Sequence, residues 1–176
     1  MDIIIKLMKK FIVLLLLSWL SLGAIYRGQV IKISDGDTIH AWVESFGRVK
    51  IRLIGIDAPE LEPSRHAFRQ TRRWHKSMRQ IEYLGWKAKQ YLKSLLPRYT
   101  RIKVETDVQL YDDYGRLLAY IWKGDILINE VMVREGYASV YTFPPNVKYV
   151  ERLIKAQKEA QLKRKGIWGS DFGLDY

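Results

Sequence analysis

The chain has 176 residues, no cysteine and a formal net charge of +11. This length allows one domain with a sizeable core, and the lack of cysteine excludes disulfides, thiolate chemistry and cysteine-ligated zinc. A hydrophobic content of 48% is that of a folded domain. The basic charge favours anionic partners, namely nucleic acid, polyphosphate or an acidic membrane.

Residues 1–24 have the pattern of a targeting segment. Lysines precede an apolar run over residues 11–17, which is shorter than the ~20 residues that a transmembrane helix needs. We predict a secretory signal peptide cleaved after Gly23 or Ala24, and hence a secreted or extracytoplasmic protein. An uncleaved membrane anchor is the second reading, and a buried N-terminal helix the third. The predicted domain then covers residues 25–170, and residues 171–176 form a tail.

Three short strands with acidic residues at their ends are predicted between Val30 and Glu60. Asp37 and Asp57 each follow a strand, and Glu60 comes three residues after Asp57. Taken singly, these are ordinary turn residues. Taken together, two carboxylates and a backbone carbonyl can bind a hard divalent cation, and a third carboxylate can act as a general base. Arg52, on the strand between them, offers a guanidinium fork that matches phosphate oxygens.

A strongly basic stretch follows, with no acid between positions 63 and 81. Arg65, Arg69 and Arg73 are four apart and would lie along one helical stripe. They either contact a phosphate backbone or form a solvated helix face or a partly disordered segment. We expect His66 and His75 to be exposed rather than metal ligands, because neither has a partner at ligand spacing.

The remaining chain alternates strands and helices. Apolar residues at helical spacing predict a helix from Trp74 to Pro97, which Gly85 weakens or splits. Strands are predicted over residues 101–106 and 117–122, with Arg116 in the loop between them, where it could simply pair with a neighbouring aspartate. A short helix over 129–135 and an extended segment over 139–143 precede a long helix from Asn146 to position 165.

Four motifs in order resemble the staphylococcal nuclease (thermonuclease) family. They are DGDT at 35–38, RLIGIDAPE at 52–60, YDDYGRLLAY at 111–120 and INEVMVREGYA at 128–138. The similarity extends from about position 30 to 168. It implies an α+β fold, a five-stranded OB-fold β-barrel with about three helices packed on it, whereas periodicity alone supports only a β-rich α+β protein.

The resemblance also implies a reaction and the residues that perform it. Asp37, Asp57 and the backbone oxygen of Ala58 correspond to the family's ligands for Ca²⁺. Glu60 corresponds to the general base of a hydrolase, and Arg52 and Arg116 correspond to its phosphate-binding arginines. The expected reaction is endonucleolytic cleavage of DNA and RNA with weak sequence preference, leaving 3′-phosphates.

Three aromatic residues match the family's nucleotide pocket. Tyr114 falls beside the expected phosphate, while Tyr141 and Phe143 match two pocket tyrosines if a one-residue gap is allowed, although both rings could instead belong to the core. Asn129 matches a structural residue. We expect a monomer that prefers single strands and that touches a membrane only through residues 1–24, if these are uncleaved.

Two other functions are open to a basic chain of this kind. One is a non-catalytic OB-fold module that binds nucleic acid and is exported or anchored at the cell surface. The other is an interaction protein at an anionic membrane surface. The complete set of acids and arginines favours the enzyme, since neither alternative requires it.

Overall fold

The computed structural model describes residues 23–169. The predicted signal peptide or anchor therefore lies outside the described residues, except for Gly23 and Ala24, and so does the predicted tail over 171–176. Within the described part, no helix combines the length and the apolar character required to cross a bilayer.

Five main strands form a closed barrel. They are β1 (Ile25–Ile33), β2 (Thr38–Val43), β3 (Gly47–Leu53), β5 (Arg101–Glu105) and β6 (Leu117–Lys123), accompanied by the short strands β4 (Ile56–Asp57), β7 (Ile126–Leu127) and β8 (Ser139–Val140). The sheet order is β3-β2-β1-β5-β6-β7, and β3 also pairs with β6. Buried aliphatic side chains of these strands fill the interior. The prediction of a five-stranded barrel in an α+β fold is confirmed.

The barrel closes where β3 and β6 pair in parallel. Ile51 lies opposite Leu117, and Arg52 lies opposite Leu118. Neighbouring strands are about 4.8 Å apart, so Arg52 comes close to the start of β6, which Arg116 directly precedes. Closure thus brings the two predicted phosphate-binding arginines to the same end of the barrel.

Four helices lie among the described residues: α1 (Arg65–Trp74), α2 (Met78–Leu95), α3 (Ile128–Arg134) and α4 (Val150–Leu162), followed by a 3₁₀ turn over Gly166–Trp168. The expectation of about three helices is wrong by one, because the basic stretch forms a helix of its own. The Ser64 hydroxyl caps the start of α1 by accepting a bond from the Ala67 N–H at 3.0 Å. His75 ends α1 in the left-handed conformation, with φ of 52°.

An apolar cluster fixes helix α1 to the rest of the domain. Ala67 and Trp74 of α1 are buried against Ile81 and Leu84 of α2 and against Ile167. The basic stretch is therefore neither disordered nor solvated on all sides. One side of α1 packs inward, and its orientation relative to the barrel is defined.

Helix α2 runs without interruption through Gly85, so the prediction that this glycine splits the helix is wrong, while the alternative that it only weakens the helix stays a prediction. A Cβ at Gly85 would lie 2.7 Å from the carbonyl oxygen of Pro59 and closer still to that of Glu60. Glycine is required here because the backbone of another segment touches the helix directly. The loop that carries Glu60 therefore rests on α2.

The last helix begins later than predicted. Asn146 is not its N-cap, since α4 starts at Val150. The Asn146 side chain is buried and instead accepts from the Gln109 N–H at 2.7 Å and donates to the Gln109 carbonyl at 2.9 Å. Asn129 is structural, as expected: its amide accepts from the Ile121 N–H and donates to the Ile54 carbonyl.

Candidate active site

An open cleft of about 600 Å³ lies at the end of the barrel where β3 meets β6. All three predicted acids, both predicted arginines and Ala58 line it. Its wall also includes Asp35, Lys50, His66, Arg69, Tyr114, Tyr141 and Phe143. The fold therefore gathers around one cleft residues that are up to about a hundred positions apart in the chain.

Two buried carboxylates face each other across the guanidinium of Arg52. Asp37 and Asp57 have only 6% and 2% of their surface exposed. Arg52 forms an ion pair with Asp37 through Nη1, and its Nη2 lies 3.5 Å from Oδ1 of Asp57. Burial lowers the pKa of Arg52, and the charge of Asp57 counteracts this. The arginine thus supplies the positive charge that a pair of buried carboxylates requires.

One hydrogen bond joins the two acidic turns, and a second lies within the DGDT turn. Oδ2 of Asp37 accepts from the Ala58 N–H at 2.9 Å, and the Asp37 N–H donates to Oδ1 of Asp35 at 3.1 Å. Burial raises the pKa of Asp35, an acid that the sequence analysis did not select. The DGDT turn and the DAPE turn consequently hold each other in place.

The donor set around Asp37 and Asp57 fits a hard cation. Both donors are carboxylate oxygens, and a cationic group already lies between them. The Ala58 carbonyl accepts one bond from Nε2 of Gln70 at 2.9 Å, and a carbonyl oxygen has a second lone pair available. No three histidine, aspartate or glutamate side chains form a ready-made metal cluster within residues 23–169. Any ion there would draw on two carboxylates, a carbonyl and water, which suits Ca²⁺.

Arg116 is fixed by the loop that carries it. Its Nε donates to Oδ2 of Asp112 at 2.7 Å, and its backbone N–H donates to Oδ1 of the same residue at 3.0 Å. The simple pairing considered from the sequence is thus present, yet Arg116 also lines the cleft. Its guanidinium carbon lies 5.4 Å from the ring centre of Tyr114, a cation–π contact. Asp112 therefore orients an arginine that still faces the cleft.

Glu60 is held by a histidine that the sequence analysis assigned to solvent. Nδ1 of His66 lies 2.6 Å from Oε1 of Glu60, and its Nε2 lies 3.5 Å from Oδ2 of Asp57. The hydrogen bond with Asp57, followed by that with Glu60, raises the pKa of His66 to about 9. Burial acts to raise the pKa of Asp57, but the interactions with His66 and then Arg52 outweigh it and lower that pKa overall. The expectation that His66 is simply exposed is wrong.

Gln70 of helix α1 connects the backbone of the acidic loop to the helix. Its side chain, 1% exposed, accepts from the Glu60 N–H at 3.0 Å and donates to the Ala58 carbonyl at 2.9 Å. Nε2 also lies 3.3 Å from Oδ2 of Asp57. Sequence reasoning missed Gln70, although the spacing of His66, Gln70 and Arg73 at i, i+4 and i+7 places them on one helical face.

The arginine stripe of α1 has two orientations. Arg65 and Arg69 are exposed, and Arg69 lines the cleft. Arg73 turns toward the domain, where its Nη2 donates to the Val140 carbonyl at 3.1 Å and its Nη1 lies 3.9 Å from Asp57. Within residues 23–169, Arg65 and Arg69 are therefore accessible to a ligand, whereas Arg73 bonds to the domain itself.

The predicted pocket aromatics lie at the rim of the cleft. Tyr114 is 85% exposed, Tyr141 47% and Phe143 56%. The alternative that Tyr141 and Phe143 belong to the core is wrong, since both rings face the cleft and solvent. Each is accessible to a flat ligand group, while their roles in binding stay predictions.

Comparison with known proteins assigns this chain to a family. The model for "Staphylococcal nuclease homologue" matches residues 50–170. The chain is 36% identical to a thermonuclease of Staphylococcus hyicus over 143 residues, 81% of this chain and 75% of the relative. It is 36% identical to a thermonuclease of Staphylococcus intermedius over 146 residues, 81% of this chain and 77% of the relative. It is 33% identical over 149 residues, 83% of its length, to the endonuclease YhcR of Bacillus subtilis, of which this region is 12%. The chain is therefore a member of the staphylococcal nuclease family.

Proposed function

We propose that this protein is a calcium-dependent nuclease that hydrolyses phosphodiester bonds of DNA and RNA with low sequence specificity and leaves 3′-phosphates. The observation that carries the proposal is the convergence of a buried carboxylate pair, a third carboxylate and two arginines on one cleft. The names of the relatives, two thermonucleases and an endonuclease, support the same reaction class.

In this proposal Glu60 is the general base. Its side chain is 38% exposed, so water can reach it. Oε1 is bonded to His66, which leaves Oε2 to accept a proton from the attacking water. The new bond forms between the water oxygen and phosphorus, and the bond from phosphorus to the 5′ oxygen breaks. That oxygen then takes a proton from solvent, giving a 5′-hydroxyl and a 3′-phosphate.

Arg52 and Arg116 bind the phosphoryl oxygens. Negative charge on these oxygens increases in the transition state, and fixed guanidinium donors bind it more tightly there than in the diester. The bond from Arg116 Nε to Asp112 keeps that fork aligned before substrate arrives. Arg52 would have to share Asp37 with the incoming ion, since it forms an ion pair with that carboxylate in the structure.

Asp37, Asp57 and the Ala58 carbonyl would hold the Ca²⁺. The bound ion supplies positive charge that neutralises the phosphate. The exposed rim rings, together with the openness of the cleft, suit a nucleotide from a single strand better than a stacked base pair. We also propose that residues 1–24 direct the enzyme out of the cytoplasm or anchor it to the membrane.

One assay separates this function from the alternatives. The purified protein is incubated with single-stranded DNA or RNA, either with Ca²⁺ or with a chelator, beside the variants Glu60→Gln and Glu62→Gln. We expect hydrolysis that requires Ca²⁺, falls ~10²–10⁴-fold in Glu60→Gln, and persists in Glu62→Gln, whose side chain is exposed near the same loop. Nucleic-acid binding that is the same with and without the chelator, together with no hydrolysis, would instead identify a non-catalytic module.

A further inference from the structure

We propose that the outer face of β1, β2 and β3 is an extended binding surface for the single-stranded nucleic acid that enters the cleft. We call it the basic face and define it by Lys32, His40, Trp42, Arg48 and Lys50. The inference deepens the proposed function and rests on it, because it concerns the part of the substrate strand that lies beyond the reacting phosphate.

The strand register places these residues side by side. Lys50 lies opposite His40, and Arg48 lies opposite Trp42, across the β2–β3 pair. Lys32 lies opposite His40 across the β1–β2 pair, just after the irregularity that follows Val30. Because side chains alternate along a strand, the buried neighbours Ala41 and Ile51 point into the barrel. The five residues of the basic face therefore point outward.

The basic face continues directly from the cleft. Positions 48, 50 and 52 share one face of β3, and both Arg52 and Lys50 line the cleft. With a rise of about 3.3 Å per residue, Lys50 and Arg48 follow Arg52 at roughly 7 and 13 Å along the strand. A polyanion whose phosphate is held by Arg52 would thus meet further cations at increasing distance from the reacting group.

Among the described residues, one charge on this face acts on the cleft: that of Lys50, which after Arg52 counteracts the burial that raises the pKa of Asp35. Lys32, Arg48 and Lys50 are exposed, and none of them takes part in an ion pair within the part of the chain that the structure describes. Burial, followed by the charges of Lys32 and Lys50, lowers the pKa of His40 between them. Lys32 and Lys50 flank His40 from the two neighbouring strands, and like charges held on one face of a sheet repel each other, so an anionic ligand explains this arrangement better than folding does.

Trp42 adds an exposed aromatic ring, which can stack on a nucleic-acid base but has no use in binding a simple anion. Its side chain is 51% exposed on the outer face of a barrel strand, beside Arg48 on one strand and Gln29 on the other. An exposed indole stacks with any base and therefore favours single strands without selecting a sequence. An anionic membrane could also bind these cations. We favour the substrate strand as the ligand, because the basic face is continuous with the cleft in which that strand would be cut.

The first test measures binding without cleavage. A fluorescent oligothymidine of about 15 nucleotides is titrated against the full chain carrying Glu60→Gln, alone or combined with Trp42→Ala, Trp42→Phe or Trp86→Ala. Trp86 is a matched control, because it is also 51% exposed but lies on helix α2. We expect Trp42→Ala to weaken binding ~5-fold or more, Trp42→Phe to recover most of it, and Trp86→Ala to bind normally. Equal losses for Trp42→Ala and Trp86→Ala, or no loss in either, would overturn the proposal.

The second test separates this surface from the proposed function. In the otherwise unaltered enzyme, kcat/KM is measured for the oligothymidine and for a thymidine dinucleotide, and the first value is divided by the second. Trp42→Ala and the double variant Lys32→Gln/Arg48→Gln should each lower this ratio ~5-fold or more. A proportional loss on both substrates would contradict a surface beyond the cleft.

Vesicles of anionic lipid are the competing probe: if Trp42→Ala weakens binding to them but not to the oligothymidine, the surface is membrane-binding and our inference is wrong. If the enzyme cleaves neither substrate, the proposed function fails, and the binding series still tests the basic face.

Discussion

The backbone carbonyls of Pro59 and Glu60 lie against Gly85 of helix α2, so closely that a Cβ there would be 2.7 Å from the Pro59 oxygen. The loop that carries Glu60 is therefore supported by α2 from beneath, while Gln70 of α1 bonds to it from the side. Two helices outside the barrel thus fix the position of Glu60.

We predict that Gly85→Ala lowers both stability and turnover. Alanine normally stabilises a helix interior by up to ~1 kcal/mol relative to glycine, but here the added methyl group would collide with the loop, and overpacking costs about 1–3 kcal/mol. Urea unfolding and kcat measure the two effects. Gln90→Ala, on the exposed side of the same helix, is the control and should change neither. A Gly85→Ala protein that is more stable and fully active would show that the loop carrying Glu60 can move away from the added methyl group at no cost, contrary to the prediction.

Replacing Gln70 should loosen the site without changing its charges. Gln70→Ala leaves the Glu60 N–H and the Ala58 carbonyl without their present partner in a buried position, which typically costs about 1–3 kcal/mol. We expect a lower unfolding midpoint and a lower kcat with a much smaller change in KM. Thr71→Ala, whose hydroxyl bonds only to the neighbouring Phe68 carbonyl among the described residues, should keep kcat. Loss of stability without loss of kcat would limit Gln70 to folding.

His66 should make stability depend on pH in the metal-free protein. Its pKa is raised from 6.5 to about 9 in the folded state. The protonated form is therefore favoured by folding, and its contribution is fully present below pH 6.5 and is lost as pH rises through about 9. Urea midpoints in chelator between pH 6 and 10 should fall across this window in the parent protein and stay flatter in His66→Asn. His75→Asn, at the exposed end of α1, is the control and should keep the parent's profile.

Lysine should not replace either cleft arginine. Arg52→Lys and Arg116→Lys keep the charge but lose the two-pronged donor that matches phosphate oxygens. We expect kcat to fall ~10²-fold or more, on the scale of removing one oxyanion donor. Arg98→Lys, an exposed arginine whose guanidinium lies over the Tyr99 ring, is the control. A lysine variant with parental kcat would remove that arginine from the mechanism.

The arginines of α1 should differ in what they do. Each phosphate contact contributes about 0.7 to the slope of log affinity against log salt for single strands. Replacing Arg65 and Arg69 with Gln should therefore reduce that slope by ~1.4 in total, as measured by oligonucleotide binding at several salt concentrations. Arg73→Gln should mainly lower stability, because its guanidinium bonds to the Val140 carbonyl. An unchanged slope in the double variant would leave α1 with a structural role only.

The acids and arginines of the cleft could be predicted because they belong to strands and turns with strong local patterns. Alternation along β3 sets the face of Arg52, and the turns that follow the strands set Asp37 and Asp57. The resemblance then supplied their expected partners. The resemblance, and not the local pattern, also implied a barrel of five strands.

The supporting residues could not be predicted, because their partners come from another part of the chain. His66 and Gln70 lie in a stretch whose many arginines suggest solvent, and only the packing of Ala67 and Trp74 on α2 turns their side toward the cleft. Asn146 has the composition of a helix cap, but its contact with Gln109 is non-local. Gly85 weakens a helix by local propensity and is required there only by the loop that touches it.

Because Ile51 pairs in parallel with Leu117, synthesis must proceed well past the middle of the chain before the guanidinium of Arg116 can meet the acidic turns, whereas Arg52 lies opposite Thr38 in the local β2–β3 hairpin. A nascent polypeptide that ends before position 117 therefore carries the three acids and Arg52 but cannot close the barrel that brings Arg116 to them. Because so long a loop has to close first, the return of hydrolysis during refolding is expected to report when β3 pairs with β6.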